Sequence, residues 1–111
     1  MSSINFDDLY KNLLSGIESL AKGSLKDYEN AAKADGQQAL NDIKQNLQQW
    51  VKELETGSIT RDDLEYLLQE NEALEKMVTL KEAGMAEIHI DTFRNNVINL
   101  IVSTVTGLIK V

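Results

Sequence analysis

The sole histidine of this 111-residue chain sits in Glu87-Ile88-His89-Ile90-Asp91, with a carboxylate two residues to either side. In an extended segment alternate residues share a face, so Glu87, His89 and Asp91 would converge. Three N/O ligands of that kind suit a hard or borderline divalent ion. The competing reading is a polar connection between helices, with Asp91 near a helix start. The rest of the chain favours the second reading, because no E-x-x-H or H-x-x-E-H pattern accompanies the histidine. Acid pairs at helical spacing, Glu72 with Glu75 and Glu65 with Glu72, lack the E-x-x-H motifs that complete a di-iron bundle. They read instead as a solvated helix face, assisted by Glu72 and Lys76 as an i,i+4 pair.

Other chemistries find no footing. The histidine lies outside any nucleophile-elbow sequence, so the serines have no partner base in the pattern of a catalytic triad. Gly23-Ser24 and Gly57-Ser58 lack the flanking glycines and lysine of a phosphate-binding loop. The absence of cysteine excludes disulfides, thiolate catalysis and cysteine-ligated metals. The residues therefore predict neither catalytic groups nor a metal or cofactor site. A formal net charge of −7, with Lys and Arg scattered singly among acids, argues against nucleic-acid binding. Met1 to Asp8 is not a basic region followed by an apolar run, so no secretory signal is read there and a cytoplasmic protein is expected.

What remains is helical architecture. The chain has no proline and six glycines, and it is rich in Leu, Ala, Glu, Gln, Asn and Lys, all but Asn being good helix formers. Two segments open alike, Ser3-Ile4-Asn5-Phe6-Asp7-Asp8-Leu9 and Ser58-Ile59-Thr60-Arg61-Asp62-Asp63-Leu64. Asn5 and Thr60 read as N-caps, the paired aspartates suit the helix dipole, and Ile4 with Leu9 and Ile59 with Leu64 have staple spacing. From Leu9 an apolar stripe runs through Leu13, Ile17, Leu20, Tyr28, Ala31, Ala32, Ala39, Ile43, Leu47, Trp50 and Leu54 to a stop at Gly57. Its phase is kept across Gly23 and Gly36, which favours one helix over 5–56. The cost of interior glycine, and a capping-box look to Ser24 and Asp27, favour a break near Gly23 or Gly36. Trp50 on this stripe reads as a packing residue.

A second helix is predicted over 60–83, its stripe Leu64, Leu67, Leu68, Leu74, Met77, Val78 and Lys81, interrupted by Asn71 and closed by Gly84. A third, over 86–110, carries no charge from Asn95 to Ile109, and an extended piece at 86–90 is an option. Its asparagines, Asn95, Asn96 and Asn99, form a narrow polar stripe that either fixes register in a buried interface or is the one wet face. Arg94 at its entrance is expected to pair with Glu75 or Glu82.

The fold class predicted is thus all-α, one domain over 1–111. It is an antiparallel helical bundle of three helices with a long first helix, or of four if that helix breaks. A helix apolar nearly all round must be buried nearly all round, and a three- or four-helix monomer leaves each helix one face in water. Self-association is therefore expected, as a dimer or tetramer. The interface would comprise Phe93, Val97, Ile98, Leu100, Ile101, Val105 and Leu108, with Leu9, Leu13 and Ile17 from the first helix. The expected function is a non-enzymatic, self-associating scaffold or adaptor with a possible protein partner. The alternative is a membrane-surface or lipid-binding amphipathic protein. A transmembrane span is disfavoured, since the uncharged stretch is shorter than about 20 residues and contains asparagines. Interfacial helices also usually carry Lys and Arg on the polar face, whereas this chain is acidic.

Overall fold

Helix starts in this chain are written in its caps. In a computed structural model, which describes residues 5–24 and 26–109, Asn5 Oδ1 accepts from the Asp7 and Asp8 N–H groups at 3.0 and 3.3 Å. Helix α1, Phe6–Ser24, follows at once. Thr60 opens α3, Arg61–Gln69, with a full capping box: its hydroxyl accepts from the Asp63 N–H at 3.2 Å, and the Asp63 carboxylate accepts from the Thr60 N–H at 2.9 Å. Ile4, the Ser24 side chain, Leu25, Lys110 and Val111 lie outside the described residues, and with them the first staple, the Ser24 capping box and the predicted end of the last helix.

The helix stops are equally local. Gly57 takes φ +80, its N–H bonding Leu54 O and the Ser58 N–H bonding Glu53 O, the paired bonds of a Schellman ending to α2, Glu29–Glu55. Gly84, at φ +91, repeats this after α5, Val78–Glu82, with Gly84 N–H on Lys81 O and Met85 N–H on Leu80 O.

The single helix expected over 5–56 is two: α1 gives way just after Gly23 to a 3-10 turn, Lys26–Tyr28, from which α2 starts. Gly36, in contrast, lies inside α2. The helix expected over 60–83 is three pieces. α3 ends at Gln69; Asn71 then caps α4, Glu72–Lys76, by accepting from the Ala73 N–H at 2.9 Å. Met77, at φ 36 and ψ 47, separates α4 from α5. The last helix, α6, is Glu87–Leu108, with no extended piece at 87–90.

All regular structure among the described residues is helical, without strands. α2 returns antiparallel to α1, placing Gly36 against Ile17 and Lys44 over the Tyr10 ring at 4.7 Å from its centroid. α2 also packs on α3, α4 and α5, while α6 packs on α1, α2, α3 and α5. At about 1.5 Å per residue α2 is about 40 Å long, close to the 46 Å long axis of the chain. One core runs through the middle. α1 contributes Leu9, Leu13, Ile17 and Ala21; α2 contributes Leu40, Ile43, Leu47 and Val51; the later helices close it with Leu64, Leu68, Leu74, Leu80 and the inner face of α6.

Candidate functional site

The residues picked out for chemistry are not gathered. Glu87, His89 and Asp91 all lie exposed within the first five residues of α6. In a helix, positions two apart point about 200° from each other, so the histidine faces away from both carboxylates. The convergence predicted for an extended segment is lost with the extension. Among the described residues no group of three or more His, Asp or Glu is placed to hold a metal ion. Glu72 and Glu75 are exposed and Glu65 is half-buried. Glu72 does not pair with Lys76: the ion pairs among the described residues are Lys33 with Glu18, joining α1 and α2, and Arg94 with Asp91.

The residues expected to meet a second chain are mostly enclosed by their own. Leu9, Leu13, Ile17, Phe93, Val97, Ile98, Ile101 and Val105 are buried within the single chain. Leu100 is half-buried and Leu108 is 45% exposed. The premise that α6 is too apolar to be sheltered by its own chain is therefore corrected. Three neighbouring elements, α1, α3 and α5, cover it along with part of α2, and its exposed side carries the polar stripe together with Ile88 and Leu108. Asn95, Asn99 and Ser103 are exposed on the single chain, with Asn96 half-buried beside them. Trp50 is half-buried against the core, as its place on the stripe implies.

The polar groups that are concentrated lie elsewhere, at the break between α4 and α5. Asp35, from α2, is the one polar or charged residue buried among those described, at 7% exposure. Its Oδ1 accepts from the Thr79 N–H at 3.0 Å and its Oδ2 from the Leu80 N–H at 2.7 Å. It thereby caps α5, which has no side-chain cap of its own because Met77 precedes it. On the other side of the break, Arg94 from α6 donates through Nε to Leu74 O at 2.8 Å and through Nη2 to Glu75 O at 3.0 Å. Its Nη1 donates to Asp91 Oδ1. Arg94 thus reaches the Glu75 main chain rather than the carboxylate the sequence suggested. Among the described residues, every side-chain hydrogen bond between positions more than four apart ends on this segment.

The chain matches no protein-family model, no curated protein and no solved structure.

Beside the break, α2, α4 and α5 frame a groove of about 220 Å³ whose lining includes Asp35, Asp42, Lys76 and Val78. Asp35 offers little to a ligand there, since both its oxygens are taken by main-chain N–H groups. A second depression, of about 410 Å³, lies between the start of α1 and the end of α2, bordered by Phe6, Gln48 and Lys52. Near it Tyr10 packs beside Phe6, ring centroids 6.2 Å apart. Burial raises the Tyr10 phenol above its ordinary value, and the Asp42 carboxylate adds to the effect.

Sequence reasoning missed Asp35 and the break. A signal for Asp35 was present: it falls on the apolar stripe between Ala32 and Ala39, where a carboxylate must find donors if buried. Arg94 was noticed, but main-chain acceptors cannot be read from a pattern of side chains.

Proposed function

We propose that this chain acts by presenting helix surfaces rather than by catalysing a reaction. In this reading it is a cytoplasmic, antiparallel bundle of four limbs: α1, α2, the broken limb α3–α5, and α6. It serves as a structural, scaffold or adaptor protein for protein partners. The observation that carries the reading is the use made of the buried polar groups. Asp35 and the half-buried Arg94 both bond main chain, so their polar atoms support the fold and are not free to act as an acid or base.

Self-association into a dimer or tetramer remains part of the proposal, on a narrower footing. Among the described residues, the apolar surface available to a second copy is Leu108 with the flank of Leu100, and separate side chains such as Tyr66, Val78 and Ile88. Contacts of that size bury far less than an obligate interface, so association is expected to be weak and concentration-dependent. Sedimentation equilibrium over a broad concentration range tests this. A rise in weight-average mass that Leu108→Asp abolishes supports the proposal. A well-folded monomer at every concentration removes the self-associating part and leaves an adaptor that binds other chains.

A further inference from the structure

We propose that the segment from Glu72 to Glu82 is a two-state helix switch. In one state it is broken at Met77 and clamped by Asp35 and Arg94. In the other it is a single helix with Val78 turned into the core and Leu80 turned out.

The argument begins with the hydrogen bonds that the break forfeits. In a continuous α-helix Val78 N–H would bond Leu74 O, Thr79 N–H would bond Glu75 O, and Leu80 N–H would bond Lys76 O. The donors Thr79 N–H and Leu80 N–H are taken by Asp35, and the acceptors Leu74 O and Glu75 O by Arg94. The Thr79–Glu75 pair is divided between the two clamps, one partner to each. Asp35 and Arg94 thus stand in for the helix's own bonds, and each is available only from another element, α2 or α6.

The local sequence prefers the other state. Glu-Ala-Leu-Glu-Lys-Met-Val-Thr-Leu-Lys-Glu contains no glycine, proline or asparagine, and most of its residues are strong helix formers. Met77 nevertheless takes the left-handed conformation, the one residue other than glycine with positive φ among those described, and L-residues adopt it at a cost.

The packing explains what the broken state gains and what the straight state would expose. With the break, Leu74, Met77 and Leu80 are all buried and Val78 is 49% exposed. In a straight helix Val78 lies about 40° from Leu74, whereas Leu80 lies about 120° away. Straightening therefore turns Leu80 out and brings Val78 to the core face together with the stem of Lys81, which is exposed in the broken state and would lie about 20° from Leu74. The two arrangements are discrete, as a switch requires.

The test is nuclear magnetic resonance on the full chain with Asp35→Asn, Arg94→Lys and the double variant Asp35→Ala/Arg94→Ala. Three changes are expected together. The Met77 13Cα and 13Cβ shifts move from left-handed to right-handed helical values. The Thr79 and Leu80 amides keep their protection from hydrogen exchange, because Glu75 and Lys76 carbonyls replace Asp35. A soluble nitroxide comes to broaden the Leu80 methyls in place of those of Val78. The conservative variants populate both states and show doubled or averaged signals for residues 74–80. Loss of protection at Thr79 and Leu80 overturns the proposal, since the clamps would then only hold a local fold together. A Met77 left-handed in all the folded variants overturns it too. If the double variant does not fold, the conservative variants decide on the same signals.

Discussion

Ile17 and Gly36 meet where α1 crosses α2, so closely that a Cβ on Gly36 would lie 2.5 Å from Ile17 Cγ2. Ile17 is fully buried and β-branched, so its Cγ2 moves only with a χ1 change that the helix resists. Gly36→Ala gains about 1 kcal/mol of helix propensity and meets an overpacking cost of about 1–3 kcal/mol. The net expected effect is destabilisation of up to about 2 kcal/mol. Gly23 offers the contrast: it has negative φ and nothing within 4 Å of an added Cβ. Gly23→Ala should stabilise by about 0.5–1 kcal/mol. Urea unfolding of the two variants should shift the midpoint in opposite directions.

That contrast also marks what was legible in the sequence. Asn5, Thr60, Gly57 and Gly84 were readable because caps act within one turn, on donors and acceptors that the chain order fixes. Both glycines of the first stripe raised the question of a break. Its answer lay in tertiary contact, since Gly36 is needed for the α1–α2 approach and Gly23 is not. The stripe also placed Val78 and Lys81 inward and overlooked Leu80. It assumed an uninterrupted turn of about 100° per residue, which Met77 breaks with support from Asp35 and Arg94. Those two are remote in sequence, so no local pattern contains them. The apolar character of α6 was read correctly. Its cover was not, because the splitting of the predicted first two helices multiplied the faces available to it.

The caps should behave as independent local contributions. Thr60→Ala removes the acceptor for the Asp63 N–H and loosens the reciprocal bond from the Thr60 N–H to Asp63. A loss of about 0.5–2 kcal/mol is expected, with Thr60→Ser recovering most of it. Asn71→Ala orphans the Ala73 N–H and should cost a similar amount. The two sites share no hydrogen bond, so the double variant should lose the sum of the two, within about 0.5 kcal/mol. Thermal or urea unfolding of the three variants checks this.

Alkaline conditions should weaken the fold in part through Tyr10. Its phenol is raised above the ordinary value of 10.0 by burial and then by Asp42, so the folded state holds the proton more tightly than the unfolded state. The contribution is complete below the unfolded value and is lost as pH rises through the folded one. Stability should fall as pH climbs above about 10. Tyr10→Phe should flatten that part of the decline while leaving the profile near neutrality little changed. Melting temperature against pH for the two proteins, with the phenolate absorbance followed in parallel, is the measurement. An unchanged alkaline slope in Tyr10→Phe would assign the decline to other groups.

Phe93 separates core from interface. It is 1% exposed within the single chain, whereas Ile88, five residues earlier on α6, is 71% exposed. Phe93→Ala should therefore cost about 3–5 kcal/mol, the range for emptying a buried aromatic site. Ile88→Ala should stay within about 0.5 kcal/mol of the parent, as surface changes do. Protein concentration supplies the discriminating axis, because stability that depends on a second copy varies with it by mass action. The Phe93→Ala loss should be the same in dilute and concentrated samples, since the cavity it leaves lies among residues of one chain. A loss that shrinks on dilution would place Phe93 between subunits. Chemical unfolding at two widely separated concentrations, read by the Trp50 fluorescence, distinguishes the two outcomes.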